Sequence, residues 1–272
     1  MISNTNLGII GVGNMGGAIL RGALAGGVSP SKIFIYDASA DQLNKLSATS
    51  AAQPARNLAD IANTCETVII AVKPDKVLKT LREIQSFKLN RNTLFVSVAA
   101  GVTIAGMEEA LGGSARVIRT MPNTPAMVGE GMTVICPGTN VVQPDVDFVR
   151  ELFGLFGKTE IITEDLIDAS TGINGCAPAY VYMFIEAMAD AGVMHGLSRS
   201  AAYAMASQAV LGASKMVLET QRHPGELKDA VCSPKGVTIE AVAALERGGF
   251  RGCVINAVDA AVQKSIRMND HY

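Results

Sequence analysis

The sequence predicts an α/β fold in which a doubly wound parallel sheet is followed by an all-helical C-terminal part. In the first half of the chain, short apolar runs alternate with helical patterns, which is typical of parallel strands connected by helices. From about residue 164 onward, apolar residues recur only with helical spacing. The composition is 49% hydrophobic but only 5% aromatic, without Trp, and such Ala-, Val- and Ile-rich sequences suit closely packed strands and helices.

Six apolar runs predict the strands of the sheet. They span residues 7–10, 33–36, 67–72, 93–98, 115–119 and 132–136. Helical patterns over residues 15–25, 40–48 and 76–84 predict connections between them. We therefore assign residues 1–163 to one domain and expect its ligand at the carboxyl ends of the strands.

The remaining residues, 164–272, are predicted to form a helical domain. Helices are expected over residues 178–194, 198–219, 224–231 and 238–247, with Ser198 and Ser233 as N-caps and Pro224 in a first turn. One helix carries small residues that allow close backbone approach: Ala201, Ala202, Ala204, Ala206, Ala209, Gly212 and Ala213. Because symmetric homo-oligomers are common, this series favours an interface between copies of the chain. Ordinary packing against the first domain is the alternative.

The charge balance argues against several classes of partner. The chain has 23 Lys and Arg against 25 Asp and Glu, a net charge of −2, and no long run of one sign. Nucleic acid and anionic membranes are therefore not expected to bind. The most apolar stretch, residues 177–194, is interrupted by Glu186 and Asp190, so it predicts a buried helix and not a membrane span.

Cysteine and histidine usage predicts a cytoplasmic protein without a metal. The five Cys are an odd number with no C-x-x-C pair, and the first residues carry no signal-peptide pattern. Both features indicate a reducing compartment. His195, His223 and His271 lack the spacing of metal ligands, so no metal site is expected.

Residues 11–16 read GVGNMG and match the pattern G-x-G-x-x-G. The pattern alone is a weak signal, but here it follows an apolar strand and opens a helix, as in the dinucleotide-binding Rossmann fold. The first Gly suits a tight turn, the second lets a pyrophosphate approach the backbone, and the third lets the helix pack closely. NADH or NADPH is therefore the predicted cofactor, and the loop residues assigned to it are Gly11, Val12, Gly13, Asn14, Met15 and Gly16.

Three further positions border the predicted crevice. Asp37 ends the second strand, where a carboxylate can accept hydrogen bonds from the adenosine ribose and repel a 2′-phosphate, which favours NADH. A simple turn-forming Asp is the equal alternative, and no basic cluster is evident nearby. Lys73 closes the third strand and is expected beside the cofactor, with a solvated strand-end lysine as the alternative. The small residues 97–101 end the fourth strand and would let the nicotinamide lie against backbone.

Several stretches together resemble the pyrroline-5-carboxylate reductase family. In chain order they are GVGNMG (11–16), AVKP (71–74), SVAAGV (97–102), MPNTP (121–125), PAY (178–180), HPG (223–225), LKD (227–229) and SP (233–234). Each motif is modest evidence, but the ordered set covers essentially the whole chain.

The resemblance implies the last reaction of proline synthesis, in which NAD(P)H reduces 1-pyrroline-5-carboxylate to L-proline. It also implies a helical domain that dimerises, with dimers often assembling into a decamer. Further cofactor contacts implied by the family are Asp37, Asn57, Ala71, Val72, Lys73, Pro74, Val98, Ala99, Ala100, Met121, Pro122 and Asn123. Substrate contacts implied in the same way are Glu164, Ala230, Val237 and Thr238.

The chain departs from the family pattern in two of these stretches. Residues 174–180 read NGCAPAY where the family commonly has SGSGPAY, so Asn174, Cys176 and Ala177 differ. Residues 233–238 read SPKGVT where the family commonly has SPGGTT, so Lys235 and Val237 differ, and Ala230 replaces a frequent Asn. The pocket for the substrate carboxylate is therefore expected to be altered.

The turn at residues 233–238 suits a cyclic imine acid. The N-terminus of a helix offers unpaired N–H groups for the carboxylate, here around Gly236. The hydroxyl of Thr238 can hydrogen-bond the ring nitrogen and orient its proton, and Ser233 is the second predicted catalytic hydroxyl. The alternative for Thr238 is a helix cap, which spacing alone favours. Lys235 is more simply a surface lysine than an attractor of the anionic substrate.

Two rival functions are considered. A β-hydroxyacid dehydrogenase has the same domain layout and needs a lysine on the helical domain, for which Lys215 is the one appealing candidate. A non-catalytic dinucleotide sensor would keep the fold and bind cofactor without turning over any imine acid.

Overall fold

The structure is a computed structural model that describes residues 2, 5–87 and 92–269 of the chain. The described residues divide into two compact units, one formed by those within residues 2–175 and 261–269 and the other by residues 176–260. His271, one of the three histidines of the chain, lies outside the described residues.

The first unit contains one sheet of eight strands in the order β3-β2-β1-β4-β5-β6-β7-β8. The strands are β1 (Leu7–Ile10), β2 (Ile33–Tyr36), β3 (Gln53–Pro54), β4 (Thr67–Ile70), β5 (Leu94–Ser97), β6 (Arg116–Pro122), β7 (Gly131–Pro137) and β8 (Gly157–Ile161). All six predicted strands are present. The order reverses at β1, where β2 and β4 pair on its two sides in parallel, and this reversal places a ligand crevice at their carboxyl ends.

The α-helices that connect or follow the strands of this unit cover both faces of the sheet. They are α1 (Asn14–Ala25), α2 (Ala40–Ser50), α3 (Leu58–Thr64), α4 (Pro74–Gln85), α5 (Ile104–Ala110), α6 (Gln143–Gly154) and α7 (Ile167–Ser170). Neighbouring strand residues belong to different buried clusters: Ile69 to one, Val68 and Ile70 to the other. Because both faces of the sheet are covered, successive residues of a central strand such as β4 are all buried, and the strand is apolar on both faces. The predicted doubly wound sheet is therefore confirmed.

One strand pair differs from the predicted parallel arrangement. β7 runs antiparallel to β6, with Thr120 opposite Ile135. The connection consists of residues 123–130, including a short 3-10 turn at Thr124–Val128, which is too short for the crossover that a parallel pair needs. β8 then pairs in parallel with β7 after the crossover through α6.

The second unit is helical. Its helices are α8 (Ala177–Met194), α9 (Arg199–Thr220), α10 (Pro224–Val231) and α11 (Val237–Arg247), followed by α12 (Phe250–Asn269), whose last turns are assigned to the first unit. Ser198 caps α9 by accepting a hydrogen bond from the Ala201 N–H at 3.3 Å, and Pro224 lies in the first turn of α10, both as predicted. The predicted cap Ser233 is wrong, because α11 begins at residue 237 and its N-cap is Gly236.

Within residues 176–260, all of which the structure describes, few apolar residues are buried. They are Ala189, Ala202 and Ala206. Large apolar side chains are instead exposed, among them Met183 at 70% and Ile255 at 66%. A single chain therefore leaves much of this unit's apolar surface uncovered. In the described part of the chain, no helix combines the length and apolar character needed to span a membrane.

Candidate active site

The glycine-rich loop connects β1 to α1 at the point where the strand order reverses. Gly11 has a φ of +91°, and a Cβ there would come within 2.7 Å of the Ala71 backbone, so only glycine fits. A Cβ on Gly16 would collide with the carbonyl oxygen of Gly11. Gly13 differs, because a Cβ there would meet nothing within 4 Å. The space beside the Cα of Gly13 is therefore open, and a ligand can approach the backbone there.

The first turn of α1 has free backbone donors. Its N-cap is Gly13, and no side chain caps the helix. The N–H groups of an uncapped first turn need acceptors from outside the helix, and an anionic phosphate is the ligand that such a turn binds most readily.

Asp37 ties the loop to the end of β2. Its Oδ2 accepts a hydrogen bond from the Val12 N–H at 2.8 Å, and its Oδ1 accepts one from the Ser39 N–H at 2.8 Å. The second bond is the turn contact considered as the alternative to ribose binding. Each carboxylate oxygen has a further lone pair, so the turn and a ribose contact are chemically compatible.

A cavity of about 550 Å³ opens beside this loop. Among its lining residues are six predicted cofactor contacts: Gly11, Gly13, Asp37, Ala71, Val72 and Lys73. Val12 and Asn14 instead line an adjoining cavity of about 370 Å³ between α1 and α2, which shares Gly13 and Gln42 with the first.

The larger cavity is also lined by residues that were not predicted from the sequence to lie near the cofactor. Tyr36 and Leu58 supply apolar lining, while Lys76 and Lys79 add positive charge to that of Lys73. The expectation that no basic cluster lies near Asp37 is therefore wrong. The available signal was the spacing of the three lysines, at every third residue across the first turns of α4, beside the strand end.

The other predicted cofactor residues lie outside this cavity lining. Met15 and Gly16 follow within α1, Asn57 caps α3 through the Asp60 N–H at 2.9 Å, and Pro74 begins α4. The remaining ones lie at or beyond the carboxyl ends of β5 and β6: Val98, Ala99, Ala100, Met121, Pro122 and Asn123.

Asn123 belongs to a polar cluster at the end of β6. Its Oδ1 accepts from the Met132 N–H at 2.9 Å, and its Nδ2 donates to the Asn174 carbonyl at 3.2 Å. The Nδ2 of Asn174 in turn donates to the Met121 carbonyl at 2.6 Å. The departure at residue 174 therefore introduces an amide whose Nδ2 braces the end of β6. Its Oδ1 is buried and has no hydrogen-bond partner in the part of the chain that the structure describes.

Glu164 lies in a second polar cluster of the same unit. Its Oε1 accepts hydrogen bonds from Nη1 of Arg119 at 2.9 Å and from the Ile104 N–H at 2.8 Å. Arg119 is almost fully buried in β6 and was not singled out from the sequence. Beside it in β7, Cys136 is also buried, and this burial raises the pKa of its thiol to about 11. The thiol is therefore neutral and unsuited to act as a nucleophile at neutral pH.

The turn before α11 carries the other predicted substrate residues, all in the second unit. Ser233 is exposed, and its carbonyl accepts a hydrogen bond from the Gly236 N–H at 3.0 Å. Val237 begins the helix and is 88% exposed. Thr238 follows within the first turn, and no side chain caps this helix. The capping alternative for Thr238 is therefore wrong. Ala230 lies near the end of α10.

No three His, Cys, Asp or Glu side chains are placed to hold a metal ion within residues 2, 5–87 and 92–269. Lys215, the residue that a β-hydroxyacid dehydrogenase would need, is 67% exposed and lies 3.5 Å from Glu219 one helical turn later. That arrangement is an ordinary surface ion pair.

Comparison with known proteins identifies relatives over nearly the whole chain. A family model described as pyrroline-5-carboxylate reductase dimerisation matches residues 164–268, and one described as NADP oxidoreductase, coenzyme F420-dependent, matches residues 6–101. The pyrroline-5-carboxylate reductase of Escherichia coli (strain K12) is 47% identical over 97% of this chain and 98% of its own length.

Two solved reductase structures are similar to this chain over nearly its whole length. The pyrroline carboxylate reductase of Plasmodium falciparum, with NADP bound, is 33% identical and has a TM-score of 0.88, covering 99% of this chain and 100% of that one. The pyrroline-5-carboxylate reductase of Coxiella burnetii is 30% identical with a TM-score of 0.92, covering 97% of this chain and 98% of the other.

Proposed function

This chain belongs to the pyrroline-5-carboxylate reductase family, and from that premise we propose which of its residues bind the cofactor, bind the substrate and orient the proton. The chain is an NAD(P)H-dependent oxidoreductase that reduces 1-pyrroline-5-carboxylate to L-proline in proline biosynthesis. The observation that carries this function is the 47% identity to the Escherichia coli enzyme over 97% of the chain.

The cofactor end is proposed to lie along the glycine loop and the 550 Å³ cavity. The open space at Gly13 fits a pyrophosphate against the backbone, and the uncapped first turn of α1 supplies N–H donors for it. Asp37 accepts from the ribose, while Tyr36 and Leu58 offer apolar surface to the adenine. When bound, NAD(P)H supplies the hydride. Residues 98–100, which follow β5, and residues 121–123, at the carboxyl end of β6, hold its nicotinamide end.

The substrate end is proposed to use the turn before α11. The Gly236 N–H donates to the Ser233 carbonyl, but the N–H groups of the residues that follow have no side-chain cap and are available to a substrate carboxylate beside Gly236 and Val237. This arrangement holds an anion without a buried cation. Glu164 and Ala230 are the further proposed contacts.

Reduction of a C=N bond needs a proton at nitrogen as well as a hydride at carbon. Thr238 is proposed to hydrogen-bond the ring nitrogen through Oγ1 and orient that proton, with Ser233 as the second hydroxyl. This assignment is supported by the capping of α11. Its N-cap is Gly236, so the hydroxyl of Thr238 is not used to cap the helix. An oriented proton donor or acceptor contributes about 10²-fold or more to such a step.

The domain assignment stays a proposal: residues 1–163 bind the dinucleotide, and residues 164–272 contact substrate and mediate assembly. The match of the dimerisation model to residues 164–268 supports the second assignment. We propose a homodimer, with a decamer built from dimers as the larger assembly. The exposed apolar side chains of α8 and α9, such as Met183 and Met205, support an interface there. Light scattering after gel filtration would give the mass directly, and a 28 kDa monomer at micromolar concentration would refute the assembly.

The proposed compartment is the cytoplasm. The five cysteines support this assignment, since all are free thiols and the odd number leaves one without a partner in any pairing. Fractionation of the producing cells, with detection of the chain in the soluble cytoplasmic fraction, tests the assignment.

The test of the function is the oxidation of NADH or NADPH, followed at 340 nm, on addition of 1-pyrroline-5-carboxylate. We expect oxidation with at least one cofactor and L-proline as product by mass spectrometry. Binding of cofactor by fluorescence without oxidation would instead favour the sensor. Oxidation of a β-hydroxyacid with reduction of NAD(P)⁺, in place of imine reduction, would favour the dehydrogenase.

A further inference from the structure

A buried arginine interrupts the apolar centre of β6. Arg119 lies between Ile118 and Thr120, with its side chain 4% exposed, opposite Ser97 of β5 and Cys136 of β7. A valine or isoleucine would fit a central strand without the cost of removing a cation from water. The sheet alone therefore gives no reason for an arginine at this position.

The guanidinium is incompletely paired. Its Nη1 donates to Oε1 of Glu164 at 2.9 Å, whereas its Nε is buried and has no hydrogen-bond partner among the described residues. A buried arginine that served stability alone would be expected in a two-pronged pair that satisfies more of its donors. The arrangement instead concentrates the contact on one oxygen of one carboxylate.

That oxygen is fixed from a second side. The Ile104 N–H, at the start of α5, donates to the same Oε1 at 2.8 Å. Oε2 makes no hydrogen bond with any residue that the structure describes, and the side chain is 32% exposed. One end of the carboxylate is thus held by two donors, and the other end is free to accept.

The pair of Arg119 and Glu164 adjoins the proposed nicotinamide end of the crevice. Thr120 Oγ1 donates to the carbonyl of Ser97 at 2.9 Å, directly before residues 98–100, and Ile104 follows the same segment. Glu164 is therefore anchored to the two elements, β6 and the start of α5, that border the segment proposed to contact the nicotinamide.

We propose that Arg119 is a positioning residue that holds the carboxylate of Glu164 so that Oε2 faces the protonated ring nitrogen of a cyclic imino acid and stabilises its positive charge, leaving the single N–H of that nitrogen to Thr238. This inference rests on the proposed function, in which Glu164 contacts substrate. Arg119 itself touches neither substrate nor cofactor. It fixes the carboxylate and offsets its charge, so that the anionic carboxylate of the same substrate is not repelled.

The test is a double-mutant cycle of Arg119→Met and Glu164→Gln, with kcat and KM for 1-pyrroline-5-carboxylate and the Kd of the cofactor. Arg119→Met should lower kcat/KM about tenfold or more in the parent chain but less than about threefold in the Glu164→Gln background, as expected for residues that act as a unit. The Kd of the cofactor should stay unchanged. Arg119→Lys, which keeps the charge, should recover part of the loss.

The matched control is Arg116→Met. Arg116 also belongs to β6 and also forms an ion pair, with Asp145 at 2.6 Å, but it has no contact with Glu164. It should lower the melting temperature without coupling to Glu164→Gln in kcat/KM.

Three outcomes would overturn the proposal. Equal losses from Arg119→Met in both backgrounds would show that it does not act through Glu164. A parallel rise in the Kd of the cofactor would indicate general damage. Failure of both Arg119→Met and Arg119→Lys to fold, judged by circular dichroism, would make the role structural. Inactivity of the parent chain toward the imine would instead refute the proposed function, so the two failures are distinguishable.

Discussion

The Val12 N–H donates to Oδ2 of Asp37 at 2.8 Å, which joins the glycine-rich loop to the end of β2 through a side chain. The same carboxylate also accepts from the Ser39 N–H, so it is oriented before any ligand arrives. Lys73, Lys76 and Lys79 line the same cavity. One cavity is therefore lined by a carboxylate, which would repel a 2′-phosphate, and by three lysines, which would attract one.

Asp37→Asn tests which of these charges sets the cofactor preference. The amide keeps one acceptor oxygen but loses the negative charge, so repulsion of a 2′-phosphate disappears. We expect the ratio of kcat/KM for NADH over NADPH to fall about tenfold, since a hydrogen bond to a charged group is worth about 1.5–3 kcal/mol. Asp41→Asn, in the exposed first turn of α2, is the control and should leave the ratio unchanged. Equal losses with both cofactors would mean that Asp37 only braces the loop.

Gly13→Ala and Gly16→Ala should separate ligand binding from folding. A methyl group on residue 13 meets no protein atom, so the melting temperature should hold while cofactor Kd rises about tenfold, equivalent to about 1.4 kcal/mol. A methyl group on residue 16 collides with the Gly11 carbonyl, so Gly16→Ala should lower the melting temperature by about 5 °C. Fluorescence titration and thermal unfolding measure the two effects. Unchanged affinity in Gly13→Ala would argue against a pyrophosphate at this backbone.

Thr238→Ala should impair turnover without weakening the helix. Because the N-cap of α11 is Gly236, loss of the hydroxyl removes no cap, and we expect an unchanged melting temperature. The kcat should fall about 10²-fold with cofactor Kd unchanged. Ser198→Ala is the opposite control: it removes an observed cap and should cost about 1 kcal/mol of stability with kcat retained. A normal kcat in Thr238→Ala would exclude a role in orienting the proton.

The strands and the cofactor loop could be predicted because their signals are local. An apolar run such as residues 67–72 needs two covered faces, and a glycine pattern after the first strand has a known geometric cause. The helix starts at Ser198 and Pro224 follow from capping and backbone chemistry in the same way.

The features that the sequence did not predict depend on tertiary placement. The direction of β7 is set by a short connection and by its partners, not by its own apolar pattern. The lysines of α4 acquire a site only because the helix begins beside the crevice. In the sequence, Arg119 is a single polar residue within an apolar strand. Its partner Glu164 is distant in the chain and is brought into contact only by the fold. Such contacts join residues far apart in the chain and leave no periodic trace.

Lys235 gives a last prediction, because it departs from the family pattern at a strained position. Its φ is +57°, a region that costs a residue with a side chain about 1 kcal/mol relative to glycine. Lys235→Gly should therefore stabilise the protein by about that amount. The side chain is exposed and forms no ion pair with any described residue, so KM for the substrate should change less than about threefold.

Gln221→Gly is the matched control for Lys235→Gly, since Gln221 has a φ of +56° but is the C-cap of α9 and does not belong to the turn before α11. Both substitutions should raise the free energy of unfolding by similar amounts in denaturant titrations. If Lys235→Gly alone raises KM strongly at low salt, and the effect vanishes at high salt, the lysine attracts the anionic substrate, since screening weakens exposed charges. The strain at residue 235 would then be retained for binding and not simply tolerated.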